Sequence, residues 1–345
     1  MLVSEAVSRK AEREASRSKW KAAASVVLSE YLVLALCVLY TLVMIPVVPE
    51  IATVEVWQNI LSDMMPLLIV SLGQTIVLII AGIDLSVTAI ISMASVVGAS
   101  IMTQSDGYLS GPLAAPAAMA AMLLVGAGIG LLNGLSITRL NMPAFVVTLA
   151  TTTFFGGCAI WYTTFHSTTT SIYDLPDMFI SIGDRDIAGI PIAVIVAVTA
   201  ALIVHGVLAY TILGRWLYAV GKNPRTAYVS GVPVRTTVMA AFVLSGMLAA
   251  LASIVYTARL QTGTPILGER ILLDVVGAVV IGGTSLFGGK GKVIWTVFGV
   301  LFLVLIDTTL KLLGASLFAI YVIKGSVILA AALLDTLRTR YLGVR

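Results

Sequence analysis

The chain has 345 residues, of which 59% are apolar and 11% charged, with a formal net charge of +4. Soluble domains carry about 25% charged residues. At less than half that share, and with a mean hydropathy of +1.04, too little polar surface exists to cover a water-facing fold, so the soluble classes are excluded. What remains is an all-α polytopic membrane bundle, one domain of short-looped helices occupying most of the length.

Residues 1–25 set Arg9, Lys10, Arg13, Arg17, Lys19 and Lys21 against Glu5, Glu12 and Glu14. This reads as a cytoplasmic basic arm suited to an anionic leaflet, not as a cleaved signal peptide. Apolar runs bounded by charge, Pro and Gly follow at 26–48, 64–82, 85–103, 112–137 and 143–163. A second set lies at 190–213, 237–258, 272–286, 293–313 and 318–334, giving ten expected spans within a membrane domain of 26–334 and a cytoplasmic tail at 335–345. The run 272–286 is short and rich in glycine, and reads either as a complete span or as a broken, re-entrant one.

Between the second and third runs the chain passes through Gly82, Asp84 and Ser86. Asp84 with Ser86 fits a helix cap, where a carboxylate meets the positive end of the helix dipole. Alternatively, a carboxylate at membrane depth lines a pathway or a gate. In the fifth run, TLATTTFFGG at 148–157 offers hydroxyls and aromatic rings to a polar solute, although intrahelical threonine bonding and helix packing explain the same residues. The polar interruption 164–189 carries Asp174, Asp177, Asp184 and Asp186 with one arginine, and is either a docking loop or a plain acidic connection.

The segment 214–236 has four basic residues and no acid. Asn223 and Pro224 have the form of an N-cap and first helical position, residues 225–230 suffice for a short helix, and Gly231 with Pro233 suits its stop. A short surface helix and an ordinary basic loop both remain open at this point. Farther on, Gly282, Gly283 and Thr284 begin GGTSLFGGKGK, which lacks the phosphate-loop spacing because Thr284 and Gly291 stand where glycine and a hydroxyl residue belong. It reads as a tight glycine turn. Asp307 and Lys311 are spaced for an intrahelical ion pair, whereas Asp274 and Lys324 look isolated, each lining a route or snorkelling to an interface.

The basic residues fix an expected orientation. With the amino terminus inside, sixteen Lys and Arg fall on cytoplasmic segments and four outside. That asymmetry agrees with an even number of spans and two cytoplasmic termini. No metal-ligand spacing, nucleophile pair or nucleotide motif is visible, so catalytic residues, metal sites and resident cofactors are not expected.

Three stretches together carry a resemblance: LIIAGIDLSV at 78–87, the region from Gly221 to Gly231, and AVVIGGTSLFGGKG at 278–291. In this order and spacing the chain resembles the inner-membrane permeases of binding-protein-dependent ABC importers of the ribose and xylose group. The resemblance implies transport of a monosaccharide or polyol by alternating access. It also implies separate ATP-binding subunits that hold ATP and Mg, a periplasmic substrate-binding protein, a second copy or related permease, a bacterial inner membrane, and no nucleic-acid partner. By the same resemblance Gly221, Asn223, Arg225, Ala227, Ser230 and Gly231 fall on the region coupled to the ATPase. The glycine motifs with Asp84, Ser86 and Thr284 are candidates for translocation. A stand-alone secondary transporter or channel is the competing reading.

Overall fold

The computed structural model describes residues 32–166, 169–268 and 271–342. The basic arm and the first residues of the apolar run 26–48 lie outside the described residues. Thirteen α-helices, a 3-10 turn at Pro49–Ala52 and a two-stranded hairpin make up the described structure. In chain order the first five helices are α1 Leu32–Met44, α2 Val54–Ile79, α3 Val87–Met102, α4 Ala114–Arg139 and α5 Ala144–Thr163. Then come α6 Asp177–Asp184, the strands β1 Asp186–Ile187 and β2 Ile190–Pro191, α7 Ile192–Tyr210, α8 Ile212–Lys222 and α9 Pro224–Val229. The last four are α10 Val234–Leu260, α11 Leu272–Gly282, α12 Val293–Leu312 and α13 Leu317–Leu342.

Among the described residues, every expected apolar run coincides with a helix. Six of them, α2, α4, α5, α7, α10 and α12, are long and apolar enough to cross a bilayer, while α1, α3, α11 and the apolar part of α13 are shorter. Three elements differ from the sequence-based expectation. Helix α2 begins at Val54, ten residues before the expected run, because Thr53 caps it through Val56 N–H and its first turns are polar. Its 26 residues give a length of ~39 Å, more than the ~30 Å of a hydrocarbon core. An eleven-residue helix, α8, precedes the expected surface helix. The interruption at 164–189 is partly ordered as α6, whose Phe179 is fully buried.

Helix α2 sits at the centre, with every residue from Met64 to Ile79 buried, as expected of a helix apolar on all sides. It packs against α10, α12, α7 and α11. The tightest helix pair is α4 with α10, which run antiparallel along a row of glycines. A Cβ on Gly126 would overlap the carbonyl oxygen of Gly246, and a Cβ on Gly130 that of Phe242. Gly134 brings α4 within 2.9 Å, measured from a hypothetical Cβ, of Met239 Cα. In lipid, where apolar burial drives helix association weakly, such backbone proximity supplies the dispersion contacts.

The outer faces of α5 and α7 present Phe154, Trp161, Leu202 and Ile203 to the surroundings. That apolar exterior is wrong for water and right for acyl chains. The threonines of α5 bond along the helix: Thr151, Thr152 and Thr153 each donate to the carbonyl four residues earlier. The protein is thus a multi-pass membrane bundle.

The glycine row makes a direct prediction. Replacing Gly126 by Val should lower stability in detergent by ~1–3 kcal/mol through overpacking. Gly128→Val, at a site where an added Cβ meets nothing within 4 Å, should stay within ~0.5 kcal/mol of the parent. Thermal unfolding in micelles reads both, and equal losses would contradict the assigned α4–α10 contact.

Candidate functional site

The surface helix forms as its local signals demand. Asn223 Oδ1 accepts the Thr226 N–H at 3.0 Å, and Pro224 occupies the first helical position. At the other end Gly231 has φ +82°, its N–H donates to Tyr228 O, and Val232 N–H donates to Ala227 O, both at 3.0 Å. These two bonds form a Schellman stop. Ala227 is the one buried residue of α9, with Arg225, Tyr228 and Val229 exposed. A cavity of about 740 Å³ lies beside it, lined in part by Thr138, Asn141, Arg225, Tyr228 and Arg235.

Helix α9 is joined through α8 to a junction that unites all three motif stretches. Gly221, buried at the end of α8, lies so close to the end of α2 that a Cβ there would overlap Ile79 O, and would stand 2.7 Å from Gly289 N. Gly289 N–H in turn donates to Ile79 O at 2.8 Å. Gly288, with φ +83°, abuts Ala81 and Gly221 O. The Tyr218 hydroxyl donates to Gly291 O at 2.7 Å, and burial pushes that phenol above its usual range, keeping it a donor. At Gly221 the contacts are backbone on backbone and cannot admit a side chain.

Beyond the junction, α2 does not continue into α3. It stops with Ala81 at φ +60°, Ala81 N–H on Leu78 O and Gly82 N–H on Val77 O, a second Schellman stop. The non-helical residues 82–85 then enter the protein interior and lead to the cap of α3, with Asp84 and Ser86 fully buried. Asp84 is not the N-cap that its spacing suggested. Ser86 holds that position, and Asp84 Oδ1 accepts Ser86 N–H at 3.0 Å and Ser86 O–H at 2.6 Å, an Asx-type turn. Asp84 Oδ2 accepts Ser245 O–H at 2.9 Å from α10.

Asn133 of α4 donates to Ser86 Oγ at 2.8 Å, and Thr148 of α5 donates to Ile83 O at 3.2 Å. The break is thereby tied to three helices. Asn133 Oδ1 and both amide atoms of Gln74 are buried without a hydrogen-bond partner among the described residues, which marks this region as the polar part of the interior.

The third motif closes the junction. Gly283, at φ +106°, ends α11, and Thr284 N–H returns to Val279 O at 3.1 Å. Gly282 lets Trp295 O come close, and Gly299 does the same for Ala278 O, so α11 and α12 form an antiparallel hairpin with no space for a side chain at these two positions. Thr284 Oγ1 is buried and unpartnered among the described residues. At eleven residues, α11 is ~16 Å long, about half a hydrocarbon core.

At the opposite end of the bundle lie the paired charges of the long helices. Asp307 pairs with Lys311 at 2.6 Å, as the spacing indicated. Asp274 and Lys324, isolated in sequence, are not isolated in space: Lys324 Nζ lies 2.7 Å from Asp274 Oδ2 and 3.2 Å from Asp307 Oδ1. Arg259 of α10 pairs with Asp63 of α2 at 2.8 Å and also donates to Ser62 O. Nothing in the sequence pattern could pair residues fifty positions apart.

Comparison with known proteins places the chain among transport permeases. Residues 56–332 match the family described as branched-chain amino acid transport system / permease component. The ribose import permease protein RbsC of Haemophilus influenzae is 34% identical over 298 residues, covering 86% of this chain and 88% of the relative. That of Bacillus subtilis is 37% identical over 272 residues, covering 77% and 80%. The D-allose transport system permease protein AlsC of Escherichia coli is 34% identical over 270 residues, covering 78% and 79%. No solved structure matches the chain. The chain belongs to this family of transport-system permease components.

The junction yields a prediction readable without transport. Gly221→Ala must displace either Ile79 or Gly289, so amide hydrogen exchange should rise together in 79–84, 221–231 and 285–291. Asn223→Ala removes one cap bond, ~1 kcal/mol, and should raise exchange only within α9. Exchange mass spectrometry in nanodiscs distinguishes them, and a Gly221→Ala response confined to α8 and α9 would refute the junction.

Proposed function

We propose that this permease component imports a monosaccharide or related polyol across a bacterial inner membrane, with ten spans and both termini in the cytoplasm. Two copies, or this chain and a related permease, would form the pathway. Separate subunits would bind ATP and Mg, and a periplasmic binding protein would deliver the solute. The sugar assignment is supported by the relatives, which are named for ribose and allose. The family description names branched-chain amino acids, but the relatives, aligned over most of their length, favour sugars.

The observation that carries the mechanism is the attachment of α9. A helix of six residues, capped at both ends and exposed except at Ala227, is a rigid handle. Its neighbourhood carries Lys222, Arg225 and Arg235 without an acid, which suits a neutral or acidic groove on a soluble ATPase. Because Gly221 presses directly on Ile79 O and sits beside Gly289, a push on α9 reaches the α2–α3 break and the α11–α12 turn without passing through flexible side chains. Asp84, at the inner end of that route, is tied to α4 and α10 through Ser86, Asn133 and Ser245. In this reading ATP-driven motion of the handle shifts the break relative to those helices, and so alternates access.

The competing reading, a stand-alone transporter or channel, predicts solute flux by the purified chain alone. The import reading predicts flux only with an ATPase and a binding protein present. Gly231→Val tests the handle specifically. Nothing lies within 4 Å of a Cβ there, but φ is +82°, and a β-branched residue in that region costs ~1–2 kcal/mol. Membrane insertion should be retained while uptake and ATPase stimulation fall together. Replacing 222–231 by a flexible linker should abolish both. Insertion lost along with uptake, or full activity with the linker, would overturn the assignment.

A further inference from the structure

Where α2, α10, α11, α12 and α13 meet, at the end of the bundle opposite α9, the structure holds a cavity of about 420 Å³. That volume is within the range of small-molecule sites. Its lining is unusual for membrane protein interior: three carboxylates, Asp63, Asp274 and Asp307, face three cations, Arg259, Lys311 and Lys324. Each cation is in contact with a carboxylate, at 2.8 Å, 2.6 Å and 2.7 Å, and Lys324 bridges Asp274 and Asp307. Two aromatic rings, Tyr256 and Tyr321, and the apolar side chains of Leu317 and Ile320 complete the wall.

We propose that this cavity is a low-affinity binding subsite for a neutral, polyhydroxylated solute, lying within a single copy of the chain. The balance of charge selects the ligand class. An ion entering beside Lys324, whose side chain is 9% exposed, would have to break its pairs with Asp274 and Asp307 and leave a buried charge uncompensated. A neutral polyol does not. Its hydroxyls donate to carboxylate oxygens already held in position and accept from ammonium groups, while tyrosine rings cover the apolar faces of a sugar ring. Lys324 spends two of its three N–H donors on Asp274 and Asp307, so it can add a hydroxyl contact without losing a pair. Strong binding is not required, since a solute that is to be passed on must be released again.

This subsite rests on the reading of the cargo as a sugar or polyol, and the experiment separates the two. The full chain in lipid nanodiscs, without ATPase or binding protein, is probed by saturation-transfer NMR with D-ribose, D-allose and, as a charged polyol of similar size, sodium D-gluconate. Transfer to at least one sugar and not to gluconate is expected. That signal should weaken about tenfold in Tyr321→Ala, whose ring is 46% exposed and whose loss leaves the ion pairs in place. It should vanish in Leu317→Trp, which fills the cavity. Absence of transfer to either sugar overturns the subsite, as does equal transfer to gluconate or an unchanged signal in both variants. Should Leu317→Trp fail to insert, Tyr321→Ala alone decides. ATP-driven uptake of these sugars by the complete assembly, with no transfer to the isolated chain, removes the subsite and leaves the import reading intact.

Discussion

The contact between Gly221, Ile79 and Gly289 holds the α9 end of the bundle together. Three segments, the outermost 210 positions apart in the sequence, meet there through main-chain atoms. Side chains change rotamer under load, but a carbonyl seated against a glycine backbone has no such freedom. A junction built in this way transmits displacement instead of absorbing it. It also explains why glycine recurs at 221, 288 and 289: at 288 and 289 the backbone adopts positive φ, and at 221 the space is already occupied.

A membrane bundle that must change shape faces a conflict. Interrupting a helix exposes N–H and C=O groups that lipid cannot satisfy, so irregular backbone survives only where protein supplies partners. The break at 80–86 meets this condition with two devices. A Schellman stop closes the end of α2, and the carboxylate of Asp84 takes up the first free N–H of α3 and two hydroxyls. The bonds from Asn133 and Thr148 attach the break to α4 and α5. Few of these bonds are backbone pairs within one helix, which makes the segment a reasonable place for motion to be concentrated.

Legibility in the sequence followed the range of the interaction responsible. Helix α9 could be read almost residue by residue, because Asn223, Pro224 and Gly231 act on their immediate neighbours. The apolar runs were equally readable, since hydropathy reports the solvent directly. Helix α8 was not, because its alternation of Leu213, Leu217 and Val220 with polar residues is that of an amphipathic surface helix, and its mean hydropathy does not rise above its surroundings. The early start of α2 was hidden by Glu55, Gln58 and Asp63, polar residues on turns that extend past the apolar core. Asp84 looked like a cap because caps and Asx turns share the same residues; only the position of α3 separates them. The pairing of Asp274 with Lys324 and the meeting of the three glycine motifs are tertiary, and no local pattern encodes them.

If backbone contact locks the junction, then α9, the end of α2 and the α11–α12 turn move as one body. Pulsed electron-electron spin resonance reads this on a chain with Cys37 and Cys158 replaced and spin labels at Tyr228→Cys and Phe287→Cys, both exposed positions. A second pair joins Tyr228→Cys to Phe154→Cys on α5. With ATPase subunits and binding protein assembled, the first distance should stay single and unchanged between nucleotide-free and vanadate-trapped states, while the second shifts. A first distance that splits, or that changes as much as the second, would show that α9 and the α11–α12 turn move independently, and would contradict the single body.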